Sequence, residues 1–474
     1  MNDNTILVPG RFAVIHPGHI RLFRHANTLA KKVIVALDIS EISTEEIQWR
    51  SGALKGIPYV NQVVHYKGSL NVLISELKPR YLLRGTEFQD SYFPEVELLN
   101  KYGGELVFSS GTYFYNSDDQ ITFRKNKGVI QKKTIPSFQE RNGFQMNDML
   151  QIISQFANKK ILVIGDSIVD EIIMCHPLGM SQEEPSVVVT PIENKKFVGG
   201  AAIVASHAAT MGAVTSFVSI RGSDEAGDWL ENELSHLGVE KYFVIEEHRK
   251  TTLKTRFRSG KHTLFRLTNV SPESISVNTR QDILKIISEK IKNLDAIIFS
   301  DFSYGLLDKE LSLAIIEIAN KHGVFTAADS QTSSQIGDLS KFKGVDLITP
   351  TEKEARNELK DENSGLIQIV EKLRRSIICK YVILKLGSDG VLLHGLDSAG
   401  NLLRTDRLEA LNDSPIDVSG AGDSILASST LSLAVEKNIY KAGLIGSIAA
   451  AIQVSRIGNI PIDIDELREE IINL

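Results

Sequence analysis

The chain is poor in the residues and segments that mark several protein classes. Its 474 residues include only 2 cysteines, Cys175 and Cys379, which are too few for a disulfide framework or a cysteine zinc site. No run of about 18 apolar residues occurs, so we expect no membrane span and no membrane partner. Residues 1–4 lack the basic start and apolar stretch of a signal peptide. We therefore expect a protein of the reducing cytoplasm.

Positive charge is also not in excess. The chain has 53 basic and 59 acidic residues, a net charge of −6, which argues against nucleic acid as a partner held by bulk charge. Hydrophobic residues make up 42%, an ordinary composition for a folded protein. At roughly 100–200 residues per domain, the length predicts two or three folded units.

The first 125 residues alternate short apolar runs with helical patterns. Five runs are rich in β-branched residues and are typical of buried parallel strands: 6–8, 33–37, 62–65, 81–83 and 106–108. Apolar residues between 20 and 32 recur at helical spacing. The alternation predicts an α/β fold with a small, doubly wound domain over residues 1–125.

Residues 126–150 are polar and lack clear periodicity, so we interpret them as a linker, with a basic surface helix as the alternative. A second α/β series over 151–474 follows, with predicted strands at 161–164, 216–220, 296–299, 324–327, 347–349 and 381–384. Residues 186–190 and 251–267 break the alternation, because they indicate strands without helices between them. These strands predict a small separate sheet that covers the site as a lid.

A histidine pair stands where the first predicted strand leads into a helix, in the sequence His16-Pro17-Gly18-His19. A helix start favours phosphate, Gly18 lets backbone approach closely, and the two histidines could donate to phosphates in a transition state. A turn with one capping histidine is the structural alternative. The segment resembles the H-x-G-H signature of cytidylyltransferase-like nucleotidyltransferases. The resemblance implies a Rossmann-like domain in which His16 and His19 are catalytic and Arg50 and Arg84 bind nucleotide phosphates.

The strongest signal is Asp417-Val418-Ser419-Gly420-Ala421-Gly422-Asp423, which precedes a helical pattern. Small residues at a helix start let consecutive N–H groups converge on an anion. An Asp at the edge of such a hole can accept a proton from an attacking hydroxyl, although a glycine-rich turn with an acidic helix start is the alternative. The motif resembles the G-A-G-D of ribokinase-like carbohydrate kinases. The resemblance implies that Asp423 is the base and that Gly420, Ala421 and Gly422 bind phosphate.

Most of the chain after residue 160 shares this resemblance. It implies that ATP lies near Gly387, that Glu354 holds Mg²⁺, and that a second set binds a sugar or sugar phosphate: Asp166, Asp170, Gly199, Gly200, Lys254 and Arg256. A turn cap at Asp166 and a solvated lid charge at Arg256 are the alternatives. The combination of units resembles the family of bifunctional heptose-phosphate kinase/ADP-heptose synthases, with the domain order reversed. That family implies a cytoplasmic homodimer that phosphorylates a sugar phosphate and transfers a nucleotidyl group to a sugar 1-phosphate.

Several positions depart from these family patterns. Ala13 stands in place of Asp, residues 118–119 are both Asp where the family has Thr, Ile203 stands in place of Asn, and Thr351 stands in place of Asn. Gln331 likewise stands in place of Lys. These departures define a second hypothesis, in which one or both domains bind a sugar phosphate or nucleotide as a sensor without turnover.

Overall fold

The computed structural model describes residues 2–13, 15, 17–40, 42–84, 95–108, 134–184, 186–246, 248–259, 262–331 and 337–474. The chain divides into two compact units, Met1–Lys127 and Gly128–Leu474. Each unit has its own sheet and its own apolar core, and each is described separately below.

The smaller unit contains one sheet with strand order β3-β2-β1-β4-β5, and its neighbouring strands are parallel. The five predicted strands are all present. The central strand β1 carries Ile6, Leu7 and Val8 fully buried, because helices can cover both faces of a parallel sheet. The described elements are β1 (Asn2–Gly10), α1 (Pro17–Leu29), β2 (Lys32–Asp38), α2 (Thr44–Lys55), β3 (Gln62–Tyr66), α3 (Asn71–Leu77), β4 (Pro79–Arg84), α4 (Glu95–Asn100) and β5 (Glu105–Phe108).

The larger unit is built on a main sheet with strand order β10-β9-β6-β13-β14-β15-β16-β17-β18. Strands β10 to β16 in that order are parallel, and β17 and β18 are antiparallel additions. The strands of this sheet are β6 (Lys160–Gly165), β9 (Val214–Arg221), β10 (Glu240–Ile245), β13 (Ala296–Asp301), β14 (Phe325–Ser330), β15 (Leu347–Ile348), β16 (Tyr381–Lys385), β17 (Val391–Gly395) and β18 (Asp406–Leu408).

Helices cover both faces of this sheet, and two apolar clusters lie between the helices and the strands. The helices are α5 (Ile135–Asn142), α6 (Met146–Ser154), α7 (Ala201–Thr210), α8 (Glu225–His236), α9 (Val277–Lys290), α10 (Lys309–His322), α11 (Glu352–Leu359), α12 (Leu366–Ile377), α13 (Ala421–Val435), α14 (Ile439–Gln453) and α15 (Ile464–Asn473). Helix α13 is buried nearly all round, with 11 buried residues that include several serines and Asp423, so it lies inside the unit although it is not uniformly apolar.

A second, smaller sheet has the strand order β12-β11-β7-β8. Its strands are β7 (Ser167–Met180), β8 (Val187–Gly200), β11 (Thr252–Ser259) and β12 (His262–Asn269). The predicted strands at 186–190 and 251–267 lie here. The sheet also includes β7, which follows β6 after the single residue Asp166, so the chain passes directly from the main sheet into this second sheet.

The predicted linker over 126–150 contains helix α5 and the start of α6. Phe138 and Met149 from these helices are fully buried in the core of the larger unit. Arg141 Nε also donates a 2.7 Å hydrogen bond to Asp406 Oδ2 on β18. From residue 134 onward, this segment is therefore packed structure, because its apolar residues recur at helical spacing although its overall composition is polar.

Within the described part of the chain, no helix combines the length and the apolar character needed to cross a membrane. Both cysteines are buried free thiols. Burial raises the pKa of Cys379 to about 12, which disfavours the nucleophilic thiolate form at neutral pH.

Candidate active site

The carboxyl ends of the parallel strands in the main sheet meet at one edge, and the polar residues of the larger unit gather there. Asp166 follows β6, Asp301 ends β13, Asp329 lies near the end of β14 and Lys385 ends β16. Ligands of open α/β sheets bind at this edge, because the loops that leave the strands surround a crevice there. The N-terminus of α13 lies at the same place, as its contacts with Lys385 and Gln331 show.

The start of α13 is shaped by Gly420. This residue has φ = +79°, a left-handed conformation that suits glycine. A Cβ atom at this position would lie 2.6 Å from Asn459 Oδ1, so the space also excludes a side chain. The first turn of an α-helix leaves N–H groups without partners within the helix, and these groups can bind an anion.

Asp423 lies in this first turn with its side chain buried. Its Oδ1 accepts a 2.6 Å hydrogen bond from Gln331 Nε2. The pKa of Asp423 is raised to about 7, mainly by burial and also by the nearby charge of Asp329, while Lys385 opposes the shift. A carboxylate with a pKa near the working pH is suited to accept a proton from a hydroxyl.

An ion pair between Lys385 and Asp329 lies beside Asp423. Lys385 Nζ is 3.0 Å and 2.9 Å from the two carboxylate oxygens of Asp329, whose side chain is fully buried. Burial disfavours the charged form of Lys385, but Asp329, Glu354 and Asp423 outweigh this effect and raise its pKa. Burial also raises the pKa of Asp329 to about 6, against the influence of Lys385.

Glu354, the predicted Mg²⁺ ligand, is buried in the first turn of α11. Its Oε2 accepts a 2.8 Å hydrogen bond from the backbone N–H of Thr351, and the Thr351 hydroxyl caps the same helix. No group of three or more metal-ligating side chains occurs among the described residues. The Glu354 carboxylate is a ligand type that suits Mg²⁺, because this ion is commonly held by one or two carboxylates together with water and substrate phosphates.

Two acidic residues predicted to bind sugar are also buried at this edge. Asp166 Oδ2 accepts backbone hydrogen bonds from Phe302 (2.8 Å) and Tyr304 (3.3 Å). Burial and the neighbouring charge of Asp301 raise the pKa of Asp166 to about 6, although those two N–H groups oppose the shift. Asp166 therefore has a structural role, because its carboxylate accepts hydrogen bonds that order the segment after β13.

Asp170 lies on β7, in the second sheet. Arg256 on β11 places a guanidinium nitrogen 3.3 Å from Asp170 Oδ1, and Asn459 Nδ2 donates to Oδ2 at 3.1 Å. Burial raises the pKa of Asp170, while Arg256 and Lys254 oppose the shift. The charge of Asp170 also contributes to the raised pKa of Asp423, so the two carboxylates belong to one electrostatic site.

Glycines let the backbone approach these carboxylates closely. A Cβ atom at Gly199 would lie 2.3 Å from Asp170 Oδ2, and one at Gly200 would lie 2.5 Å from the backbone oxygen of Asp166. Gly200 has φ = +58° and is the N-cap residue that precedes helix α7. Ile203 in the first turn of that helix is fully buried in the apolar core. Its side chain therefore lies in the core, which accounts for an apolar residue at this position.

Lys254 on β11 lies over two aromatic rings. Its Nζ is 4.9 Å from the ring centre of Phe302 and 5.2 Å from that of Tyr304. Both rings belong to the segment after β13 that is ordered by Asp166. Cation–π contacts of this kind hold the ammonium at the junction of the two sheets.

A surface cavity of about 550 Å³ extends from Lys385 along the start of α11. Its lining includes Thr351, Glu352, Leu386 and Gly387. Gly387 has φ = +63°, and a Cβ atom there would meet no atom within 4 Å. The cavity therefore opens beside both Lys385 and the predicted nucleotide-binding residue Gly387.

The predicted site residues of the smaller unit lie near the carboxyl ends of its strands. His19 is in the first turns of α1, with its ring centre 5.0 Å from that of Phe12. Arg50 is buried, and its guanidinium donates to the backbone oxygen of Arg11 (2.8 Å) and to Glu46. Arg84, the second predicted arginine, ends β4, and its guanidinium lies 3.6 Å from a carboxylate oxygen of Glu95 on α4. Gly18 is the second residue of α1, and His16 lies outside the described residues.

Sequence reasoning did not identify Lys385, Asp329 and Asn459 as members of this site. Lys385 directly follows four buried strand residues, 381–384, and a charged residue at the end of a buried parallel strand is a usable signal. Asn459 follows α14 in a loop whose position depends on the tertiary fold. No local pattern indicates that its amide contacts Asp170.

This arrangement is that of a carbohydrate kinase. The model for the pfkB family carbohydrate kinases matches residues 158–465, and the chain belongs to this family. The larger unit has the ribokinase-like fold.

Among curated proteins, the chain resembles the bifunctional protein HldE. It is 32% identical over 324 residues to HldE from Campylobacter jejuni, which is 68% of this chain and 66% of that protein. HldE from Sulfurimonas denitrificans is 30% identical over 325 residues, covering 68% and 65%. The chain thus matches slightly less than two thirds of the length of these relatives. The matches lie over the kinase half and do not cover the smaller unit.

Solved structures agree on the fold of the larger unit. Ribokinase from Thermotoga maritima superposes with a TM-score of 0.53 at 22% identity and covers 66% of this chain and 100% of its own. Arabidopsis thaliana ribokinase, solved with ribose and ATP, gives 0.52 at 16% identity and covers 66% and 98%. Phosphofructokinase-2 from Escherichia coli gives 0.53 at 18% identity and covers 67% and 99%.

Proposed function

We propose that the larger unit transfers the γ-phosphoryl group of ATP to a hydroxyl of a sugar phosphate, with Asp423 as the general base. The observation that carries this proposal is the buried Asp423 carboxylate in the first turn of α13, directly after the left-handed Gly420. Its pKa, raised to about 7, suits proton removal, and the helix start suits the transferring phosphoryl group.

The acceptor is proposed to be a heptose-like sugar phosphate. Asp166 and Asp170 are carboxylates at the junction of the two sheets, where sugar hydroxyls can donate hydrogen bonds to them. Lys254 and Arg256 bring positive charge from β11 to the same junction, which suits a phosphate on the sugar. Gly199 and Gly200, the other predicted sugar-binding residues, let the backbone pack directly against Asp170 and Asp166 and so hold the two carboxylates in place. The similarity to HldE over the kinase half supports this substrate class.

ATP is proposed to occupy the cavity that runs from Lys385 to Gly387. Glu354 would hold Mg²⁺ at the phosphate end of this cavity, and the ion would neutralise phosphate charge when bound. The turn of Gly420, Ala421 and Gly422 would bind the phosphoryl group between nucleotide and acceptor.

We further propose that the smaller unit is a Rossmann-like nucleotidyltransferase that acts on a sugar 1-phosphate and releases pyrophosphate. Its parallel sheet and the position of Gly18 and His19 at the start of α1 support a phosphate site there. His16, Arg50 and Arg84 complete the proposed set. The product would be an NDP-sugar such as ADP-heptose, and the order of units would be transferase first and kinase second, with the boundary near residue 125.

The second candidate for the smaller unit is a sensor that binds nucleotide without turnover. The specific observation in its favour is that the Arg50 guanidinium is already bound to the backbone oxygen of Arg11 and to Glu46. An arginine held in this way has fewer donors left for nucleotide phosphates.

A substrate screen on the purified full chain tests both activities. The protein is incubated with ATP and Mg²⁺ and with a panel of sugars and sugar phosphates that includes heptose 7-phosphate, and ADP release is measured. Pyrophosphate release with sugar 1-phosphates and several nucleoside triphosphates is measured in parallel. Asp423→Asn should abolish only ADP release and His19→Ala only pyrophosphate release. Absence of ADP release with every acceptor contradicts the kinase proposal, and nucleotide binding without pyrophosphate favours the sensor.

The protein is also proposed to form a homodimer through the second sheet. Large apolar side chains are exposed on these strands, including Leu178, Met180, Val187, Ile192 and Phe265. Exposed apolar groups on one sheet are typical of an interaction surface. Sedimentation equilibrium should give twice the chain mass of 52.4 kDa, and a monomer at micromolar concentration would contradict the proposal.

A further inference from the structure

Lys385 is a buried ammonium at the centre of the proposed phosphoryl-transfer site. Its side chain is 11% exposed, and a Cβ atom at Gly422 would lie 3.1 Å from its Nζ. The ammonium therefore lies against the backbone of the anion-binding turn. Its own backbone is fixed as well, because Lys385 N donates a 2.8 Å hydrogen bond to the oxygen of Pro350.

The surroundings of this ammonium are acidic on several sides. Asp329 contacts it directly, and the charges of Glu354 and Asp423 also act on it. A pair with Asp329 alone would satisfy one positive charge with one negative charge. Lys385 also lines the cavity proposed to hold ATP, and its charge interacts with that of Asp423, the proposed base. An ammonium in this position lies beside the proposed path of the γ-phosphoryl group from ATP to the acceptor.

We propose that Lys385 Nζ binds the γ-phosphoryl group of ATP while that group passes to the acceptor. The proposal rests on the kinase activity proposed above and adds a phosphoryl-binding residue to it. Gly422 contributes to this arrangement, because the lack of a side chain there leaves room for the Lys385 ammonium beside the start of α13.

The step conserves all atoms. The acceptor hydroxyl gives its proton to Asp423, and its oxygen forms a bond to the γ-phosphorus. The bond between that phosphorus and the β–γ bridging oxygen breaks, and its electron pair leaves with ADP. Lys385 makes and breaks no covalent bond, and its N–H groups donate to the non-bridging oxygens as charge is redistributed.

The test must separate phosphate binding from the structural pairing with Asp329. Lys385→Met removes the ammonium at similar length but leaves the buried Asp329 carboxylate without it, so this variant is expected to lose stability. The double variant Asp329→Asn/Lys385→Met removes both charges and should recover much of the wild-type melting temperature. Asp329→Asn alone keeps the ammonium and serves as the matched control.

Turnover and nucleotide binding are then compared among these variants. We expect the double variant to lose about 100-fold or more in kcat, as for removal of one donor to a developing anion. We also expect its affinity for a non-hydrolysable ATP analogue with Mg²⁺ to fall tenfold while its affinity for ADP changes less than twofold. Asp329→Asn should retain the preference for the ATP analogue over ADP.

The outcomes distinguish this inference from the proposed function. A double variant with wild-type kcat and an unchanged preference for the ATP analogue would show that Lys385 is only the structural partner of Asp329. A wild-type protein that prefers the analogue through Lys385 but phosphorylates no acceptor would contradict the kinase proposal and leave the phosphate contact standing. A wild-type protein that phosphorylates an acceptor but binds both nucleotides independently of Lys385 would overturn only the inference.

Discussion

The raised pKa of Asp423 makes a strong prediction about pH. Burial moves this pKa from its ordinary value of 3.8 to about 7. Only the ionised form can accept the proton of the acceptor hydroxyl, so kcat should be constant above pH 8 and fall about tenfold per pH unit below 7. A coupled assay for ADP over pH 5 to 9, with both substrates saturating, measures this decrease of kcat on the acid side, which we call the acid limb.

Asp423→Asn removes the base but keeps the size of the side chain. We expect kcat to fall roughly 10²–10⁴-fold, the usual contribution of general base catalysis, and the acid limb to disappear from the residual activity. Asp397→Asn makes the same chemical change on an exposed turn and should leave turnover unchanged. Turnover of Asp423→Asn within threefold of wild type, or a flat wild-type profile between pH 5 and 8, would refute the assignment.

The same substitution should stabilise the protein at alkaline pH. A carboxyl whose pKa is higher in the folded than in the unfolded state loses stability as pH rises from about 4 to about 7. A shift of about three units corresponds to about 4 kcal/mol, a net value that already includes the opposing effect of Lys385. Asp423→Asn should therefore unfold at higher denaturant concentration than wild type at pH 8, with a much smaller difference at pH 4. An equal or larger gain at pH 4 would contradict burial as the cause.

Three further predictions concern the surroundings of this base. Gly420→Ala should lower kcat strongly and cost about 1–2 kcal/mol of stability, because alanine would have to adopt the left-handed backbone conformation and its Cβ would lie 2.6 Å from Asn459 Oδ1. ADP release measures the effect on kcat, and chemical denaturation measures the effect on stability. Arg256→Met, which frees the Asp170 carboxylate, should raise KM for the sugar phosphate about tenfold with little change in KM for ATP, and equal changes in both would contradict its role. Glu354→Gln should raise the Mg²⁺ concentration needed for half-maximal rate, with rescue at high Mg²⁺, whereas an unchanged requirement would contradict metal binding.

Strand positions were the most predictable part of the fold, because buried parallel strands appear as short apolar runs. The runs at 6–8 and 33–37 are β1 and β2, and the runs at 296–299 and 381–384 are β13 and β16. Strands β7, β10, β17 and β18 were missed. Strand β10 lies at an edge of the main sheet and carries mixed residues such as Glu240 and Lys241, so its pattern is weak.

The candidate site was predictable where its chemistry is local. Asp423 and the glycines before it are neighbours in the chain, so their sequence alone indicates an anion-binding helix start. Lys385 and Asp329 are 56 residues apart and meet because β14, β15 and β16 are adjacent in the sheet. Such a pair becomes visible only when strand order and register are known.

The charge states of Asp329, Asp423 and Lys385 depend on one another. Asp329 and Asp423 are both buried with raised pKa values, so each costs stability when it ionises at neutral pH. Lys385 offsets part of this cost and keeps its own charge through the same carboxylates. A core selected for stability alone would replace such a cluster with apolar residues, since buried ion pairs are often neutral or unfavourable relative to them. The retention of one ammonium among these acids beside a helix start is accounted for if the cluster serves phosphoryl transfer, in which a proton acceptor and a phosphate-binding cation must lie within a few ångströms of each other.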